Sequence, residues 1–380
     1  MEPPMKQSLQ FATLWLLSAI TLCAQGKNTT FNLQDAIDDA SRGDTIVIPN
    51  GTYTQPIIID KNLTLDGKDA TLEVVSDLPA IKIDTSKLVT LKNLEIRYKS
   101  ENPNPRESDN IAAIYCEGGD LLIENSSVKW TRKGWNPNIY AVFATDQSTL
   151  QIKGSLFDGF GIYIMEKSEG CVEDCLIINS EANGIWIRRK SSGVLRRNII
   201  ARSKWMSVCL GYRAETVIDS NLIINGKLSG IESLDSTATI CNNLIIGTES
   251  DGIKIGVGDT EMANNVILRS GKAGVSIHPK ALFDIEENVI VDNNVGFRRF
   301  SPDYDGKGTI DVNGKNLVYR NKTQSKGVDL SSKTIEVNPE FTDADAGLFS
   351  LESREAGKMG LTDSEIIQTL WKKWEDGAKN

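Results

Sequence analysis

From residue 155 to 320 the chain is built on short runs of alternating apolar and variable residues that return at a fixed interval. One run opens on an Asn followed by two aliphatics: Asn198-Ile199-Ile200, Asn221-Leu222-Ile223, Asn243-Leu244-Ile245, Asn265-Val266-Ile267 and Asn288-Val289-Ile290, spaced 23, 22, 22 and 23 residues apart. The register extends upstream through Cys175-Leu176-Ile177, Ser155-Leu156-Phe157, Ser126-Ser127-Val128 and Asn93-Leu94-Glu95, and downstream to Asn316-Leu317-Val318. A second run keeps the same beat from Gly161-Ile162-Tyr163-Ile164 through Gly184, Ser207, Gly230, Gly252 and Gly274 to Gly296-Phe297-Arg298, at spacings of 23, 23, 23, 22, 22 and 22. Alternation over four or five residues predicts strands, and helical spacing is absent from this stretch. A unit of about 22 residues with two or three short strands cannot enclose a core alone; it can only stack. Stacking in parallel at about 4.8 Å per coil predicts an all-β solenoid, a single-stranded parallel β-helix of about ten or eleven coils, on the order of 50 Å long.

The recurring Asn is expected at a corner, its amide bonding up the stack and its backbone taking the left-handed turn. The recurring Gly fits a corner needing positive φ or close backbone approach. Open coil ends expose strand edges and need covers. Asn32 to Ala40, with a capping Asn and early acids, predicts a lid helix over the first coil, and Gly43 to Tyr53 the first strands, entered through a Pro-Asn-Gly turn. Residues 362–374 predict an amphipathic helix covering the last coil.

At the N-terminus Lys6 precedes an apolar run from Phe11 to Cys23, too short to span a bilayer, and reads as a secretory leader cleaved after Ala24. Lipid attachment at Cys23 is the alternative. The expected organisation is 1–24 leader, 25–361 β-helix with its lid, and 362–380 C-terminal helix and tail. The product is expected to be a monomer with no membrane span, secreted, periplasmic or on the cell surface. Five cysteines remain after the leader, and Cys171 and Cys175 read as packing residues, with a bridge or a metal as the alternative. Composition adds exclusions. With 42 Lys and Arg against 51 Asp and Glu the net charge is −9, which argues against nucleic-acid partners. A single His, His278, excludes multi-histidine zinc sites. No cofactor is expected; calcium stays open, with no ligand cluster identified.

The opening Leu33-Gln34-Asp35-Ala36-Ile37 through Gly43 to Tyr53, the coil ladders, and the late Val337-Asn338-Pro339-Glu340-Phe341-Thr342-Asp343 with Gly347-Leu348-Phe349 together resemble the right-handed parallel β-helix, or pectin-lyase-like, superfamily of secreted bacterial type. The resemblance implies the right-handed fold over nearly the whole mature chain. It does not choose an activity, because the superfamily holds lyases, hydrolases, epimerases and proteins without known catalysis. The paired Asp with Gly-His-Gly of polygalacturonases and the Asp-Pro-His-Asp of alginate epimerases are absent, and the calcium aspartates of pectate lyases have no clear counterpart. Gly256-Val257-Gly258 lacks the third glycine of a dinucleotide loop, and Gly247 to Gly252 lacks the Lys of a phosphate loop.

If the aliphatics of the second run point inward, the residues between them form one outward file: Tyr115, Phe143, Tyr163, Trp186, Cys209, Glu232, Lys254, Ser276 and Arg298. Its aromatics are either a platform for sugar rings or packing beneath the long segments 97–112 and 129–140. Residues 188–213 carry eight cations, Arg188, Arg189, Lys190, Arg196, Arg197, Arg202, Lys204 and Arg213, and no acid. They read as a belt for a polyanionic glycan, or as a solvated face paired to Glu166, Glu169, Glu173, Glu181 and Glu215. For β-elimination on a uronate the candidates are Lys254, Arg213, Tyr212 and His278; for hydrolysis, the pair Glu232 and Asp235. Lys254 and Glu232 also read as a plain ion pair, and His278, before Pro279, as a turn histidine. Tyr115, Phe143, Tyr163, Trp186, Arg188, Tyr212 and Arg298 are the candidate carbohydrate contacts. The expectation is a secreted protein that binds an acidic polysaccharide and, if it is an enzyme, degrades it as a lyase rather than a hydrolase. The alternative is a non-catalytic glycan-binding or cell-surface structural protein.

Overall fold

The computed structural model describes residues 31–102, 105–106, 109, 111–131, 138–300, 308–344, 347–357 and 359–378. The expected leader, its cleavage after Ala24, and Cys23 lie outside them. Three parallel sheets of 11, 12 and 12 strands run the length of the molecule, each taking every third strand. The first runs from Thr45–Val47 to Ala281–Glu286, the second from Gly51–Tyr53 to Leu317–Tyr319, and the third from Ile57–Ile59 to Thr323–Lys326. This is the expected right-handed solenoid, of about 11 turns. Inward aliphatics stack in register, as in Ile185, Val208, Ile231, Ile253 and Val275 of the third sheet, all buried.

At the corner between the first and second sheets the amides of Asn198, Asn221, Asn243, Asn265, Asn288 and Asn316 form a continuous buried chain, each Nδ2 donating to the next Oδ1 at 2.9–3.0 Å. Each Oδ1 also accepts the backbone N–H of the preceding Asn, and each Nδ2 reaches a backbone carbonyl, as Asn265 does with Ile240 and Ala263. The amides thus satisfy backbone groups that a turn inside the core would leave bare. Two expectations are corrected. The left-handed residue is the one before each Asn (Arg197, Ser220, Asn242, Asn264 and Glu287, φ 52–58°), not the Asn itself. Consequently Asn93, at φ 55°, occupies that left-handed position, and Leu94 rather than Asn93 is the counterpart of the ladder residue. For the glycines, close approach is the reason: a Cβ on Gly230 would lie 2.7 Å from the Gly252 carbonyl oxygen and 2.8 Å from Ile245 Cγ2.

The N-terminal helix, Leu33–Asp39, caps the first coil as expected. Asn32 caps it by accepting from Gln34 and Asp35, while Leu33 and Ile37 are buried. Gln34 pairs through both amide atoms with the backbone of Ile58, closing the open edge of the third sheet. The C-terminal helix, Ser364–Ala378, is also present, but its apolar face lies along the outside of the second sheet rather than over the last coil. Ile367, Leu370, Trp371 and Trp374 pack with Leu222, Ile224, Leu244 and Ile246. Thr362 bonds to Asn242, Arg202 sits 4.8 Å over Trp374, and Lys373 reaches the Asp174 carbonyl, so the helix runs back along the stack. The cause is in the strands. Leu222-Ile223-Ile224 and Leu244-Ile245-Ile246 are apolar on both faces, and a two-sided strand needs a second cover. Among the described residues no helix is long and apolar enough to cross a membrane. The five cysteines there, Cys171 and Cys175 included, are unbridged.

Two neighbouring asparagines separate the roles at the corner. Asn265→Ala removes a buried amide and strands its partners, with an expected loss of about 2–4 kcal/mol in denaturant unfolding. Asn264→Gly changes the left-handed, partly exposed position, gives up a 3.4 Å surface hydrogen bond to Glu287, and is expected to stay within about 0.5 kcal/mol. Leu370→Asp should lift the C-terminal helix, seen as faster proteolysis after residue 360 and new dye binding to apolar surface, with the β-sheet circular dichroism retained.

Candidate functional site

Strand register places the outward file as read from the sequence, from Tyr115 through Phe143, Tyr163, Trp186, Cys209, Glu232, Lys254 and Ser276 to Arg298, and continues it to Lys326. Its two halves differ. The rings of the aromatic half stack at 5.4, 4.9 and 4.8 Å, and Tyr140 packs on Phe143 and Tyr163 at 5.6 and 4.6 Å. Phe143 and Tyr163 are therefore buried and offer no sugar platform; covered packing is what the structure shows for them. Tyr115 and Trp186, at the ends of the stack, stay partly exposed. Arg188 is sandwiched between the Trp186 and Tyr212 rings, 4.6 Å from each, and donates to the Tyr163 hydroxyl. It is nearly buried and ties the stack to its neighbour, while Tyr212 turns a largely exposed ring to solvent.

The basic belt does not form one face. Arg189 pairs with Glu166, Arg197 with Asp174, and Lys204 with Glu181, each one coil back. The Arg197 guanidinium holds the Asp174 carboxyl below its usual range. Arg196 belongs to an alternating file on the first sheet, Lys92, Glu124, Lys153, Glu173, Arg196 and Asp219. These cations are solvated and paired on separate corners, as the plainer alternative had it.

The polar half of the file opens into a cleft of about 620 Å³. Among the described residues five cations line it, Lys254, Lys272, Arg298, Arg299 and Lys326, against two carboxylates, Glu232 and Asp251. Lys254 Nζ lies 3.2 Å from Glu232 Oε1 and 4.9 Å above the Phe300 ring, so the expected ion pair forms in the floor of the cleft. The second carboxylate is not Asp235, which sits exposed at the corner after Leu234, where its carbonyl accepts from the Arg213 amide. Arg213 shares that exposed corner and, like Asp235, does not line the cleft. The acid brought to Glu232 is Asp251, one coil on, a residue that sequence reasoning missed. Its signal was present: the residue before each second-run opener is Phe160, Asn183, Met206, Ser229, Asp251, Ala273 and Val295, and only one of these is charged.

His278 stands at the turn after Ala273–Ile277, its ring edge-on to Phe300 and its Nδ1 accepting from the Lys280 amide. Lost solvation, with the charges of Lys280 and Arg299, lowers its pKa. With Nδ1 taken up by that amide, Nε2 is the ring nitrogen left for other contacts, as befits the turn histidine of the plainer alternative. Burial pushes the Cys209 thiol up to about 12, leaving it no nucleophile at neutral pH. Among the described residues no three His, Cys, Asp or Glu side chains gather as a metal site.

The chain belongs to the right-handed β-helix family, whose profile matches residues 79–240 and 140–290. Among solved structures it is similar to the periplasmic alginate epimerase AlgG, with 16% identity over 81% of this chain and 83% of that one and a TM-score of 0.64. It is also similar to the alginate lyase AlyF-OU02 in complex with G6 (14%, 89% and 90%, 0.57). A third is the A-module of the Azotobacter vinelandii mannuronan C-5 epimerase AlgE6 (15%, 80% and 93%, 0.54). At these identities the likeness is one of fold. No curated protein sequence matches the chain.

With one His in the chain, its NMR titration is a single curve. We expect a midpoint below about 6.5, moving upward in Arg299→Gln as one repelling charge is removed. The sign follows from linkage: stability tied to neutral His278 is fully present above about pH 6.5 and declines as the pH falls through the folded value.

Proposed function

We propose that this protein, exported and acting as a monomer, binds an acidic polysaccharide in the cleft of Glu232 and Lys254 and cleaves it by β-elimination. The observation that carries the reading is the charge balance: among the described residues five cations face two carboxylates, in a chain whose net charge is −9. A local excess of that kind recruits an anionic polymer against the field of the whole molecule. The fold likeness to proteins named for action on alginate, two epimerases and a lyase, supports the same substrate class. The exposed ring of Tyr212 extends the surface toward the N-terminal coils, where a sugar can stack.

Elimination is favoured over hydrolysis because hydrolysis needs two carboxylates at work. Asp251 has both oxygens on Arg298, and only Glu232 is left. In the elimination Glu232 takes the proton from the carbon beside the uronate carboxylate, and the cleft cations neutralise the charge that builds there. The glycosidic C–O bond breaks, its oxygen takes a proton from Lys254, and the ring is left with a double bond. Each cleavage therefore yields one unsaturated uronate and one new reducing end.

Incubation with anionic and neutral polysaccharides, following reducing ends and ultraviolet absorbance together, tests this. The expected result is both signals on an anionic polymer, lost about 100-fold or more in Lys254→Ala and Glu232→Gln. Reducing ends without absorbance would make the protein a hydrolase. Binding by calorimetry with no turnover would favour the non-catalytic reading, which the missing catalytic motifs of the characterised families support.

A further inference from the structure

The polar half of the file contains a closed side-chain network around Arg298. Asp251 is 4% exposed at its side chain, and both its oxygens accept from Arg298 Nη2, at 3.0 and 3.1 Å. Ser276, fully buried between them, donates its hydroxyl to Asp251 Oδ1 at 2.8 Å and accepts from Arg298 Nε at 3.1 Å. Three consecutive coils supply the three residues. The side edge of the guanidinium is spent inside the protein, whereas Nη1 has no hydrogen-bond partner among the described residues, and Arg298 is 28% exposed at the cleft. Lys326 stands next in the file, one coil away.

A buried carboxylate costs free energy unless it is paired and hydrogen-bonded, and a surface ion pair for stability alone needs no buried serine to align it. What the network does supply is orientation. An arginine on an open face samples many rotamers; one bonded through Nε and Nη2 holds Nη1 in a fixed place and direction, so little entropy is lost when it meets a ligand.

We infer that Asp251 and Ser276 are positioning residues that hold Arg298 as a fixed reader of an anionic oxygen on the sugar, a carboxylate or sulfate group, with Lys326 as the second cation. The inference rests on the acidic-polysaccharide reading and deepens it, naming the residue that separates a charged glycan from a neutral one.

Calorimetric binding at fixed ionic strength tests it, using a defined oligouronate, the same oligomer with its carboxylates reduced to alcohols, and a sulfated oligosaccharide. Arg298→Gln is expected to weaken oligouronate binding by about tenfold or more and to leave binding of the reduced oligomer unchanged. Asp251→Asn gives the sharper result. It removes a negative charge and so, by electrostatics alone, should tighten an anion; as the loss of a positioning residue it should weaken the oligouronate severalfold. The double variant should bind no worse than Arg298→Gln alone, since both act through one group. Ser276→Ala, a smaller change, should reproduce part of the loss if Asp251→Asn fails to fold. Comparison of the oligouronate and sulfated arms tells which anion is read. Equal or tighter binding by folded Asp251→Asn, additive effects in the double variant, or wild-type affinity in Arg298→Gln would each overturn the inference while leaving the acidic-glycan reading intact. Failure of the wild type to bind any glycan would overturn both.

Discussion

Everything in this molecule depends on coils being unable to stand alone. Each turn of chain has a few inward aliphatics and main-chain groups that point along the axis, so its hydrogen bonds and its apolar contacts are both made with neighbours. The asparagine stack makes this dependence strict. From Asn198 to Asn316 every amide is donor to one coil and acceptor from another, and each is buried. A polar group in that position is costly if a single link is missing, so the stack fixes register as well as contributing stability. With register fixed, side chains 22 or 23 residues apart in sequence are adjacent in space, which is the only reason that Glu232, Lys254, Ser276 and Arg298 meet at all.

That constraint leaves the outer face free. An inward position must fit the core, and most are aliphatic, but an outward position answers only to its neighbours in the file and to whatever crosses above it. One file therefore carries two surfaces in succession: rings packed under Tyr140 in the N-terminal half, and charges lining an open cleft in the C-terminal half. Cys209, nearly buried and protonated, marks the boundary between them. The second sheet shows the same freedom used differently. From Leu176 to Leu317 its outward positions are mostly aliphatic, and the C-terminal segment with its helix packs over them.

The fold was legible because stacking imposes a period, and a period survives any local ambiguity in propensity. The file was legible for the same reason. Exposure was not, because pointing outward is set by position in the strand whereas being exposed depends on what lies above: alternation alone does not tell that Tyr140, at the start of the strand that bears Phe143, folds its ring over Phe143 and Tyr163. The acid partner was misread through proximity in sequence. Asp235 is three residues from Glu232, yet a corner intervenes and turns it away, while Asp251 is a coil distant and arrives alongside. The helix was found from its amphipathic pattern and its position was not, since the strands it covers differ from ordinary ones only by an extra aliphatic after each Asn-aliphatic pair.

Charge explains why the cleft stands out from the other cations of the chain. Arg189, Arg197 and Lys204 are each matched by an acid one coil back, so their fields cancel within a few ångströms and the surface stays close to neutral. In the cleft the described residues give a different balance. Glu232 and Asp251 pair with Lys254 and Arg298, and the cations that line it outnumber those two acids, in a field that low-dielectric walls concentrate rather than screen. An acidic protein keeps a positive cleft only by withholding acids from the outward positions of its last coils, and the file from Lys254 to Lys326 contains none. The same withholding leaves Arg298 dependent on a residue from outside its file, Asp251, for its alignment, so the direction of its guanidinium is set by the corner and not by the strand that bears it.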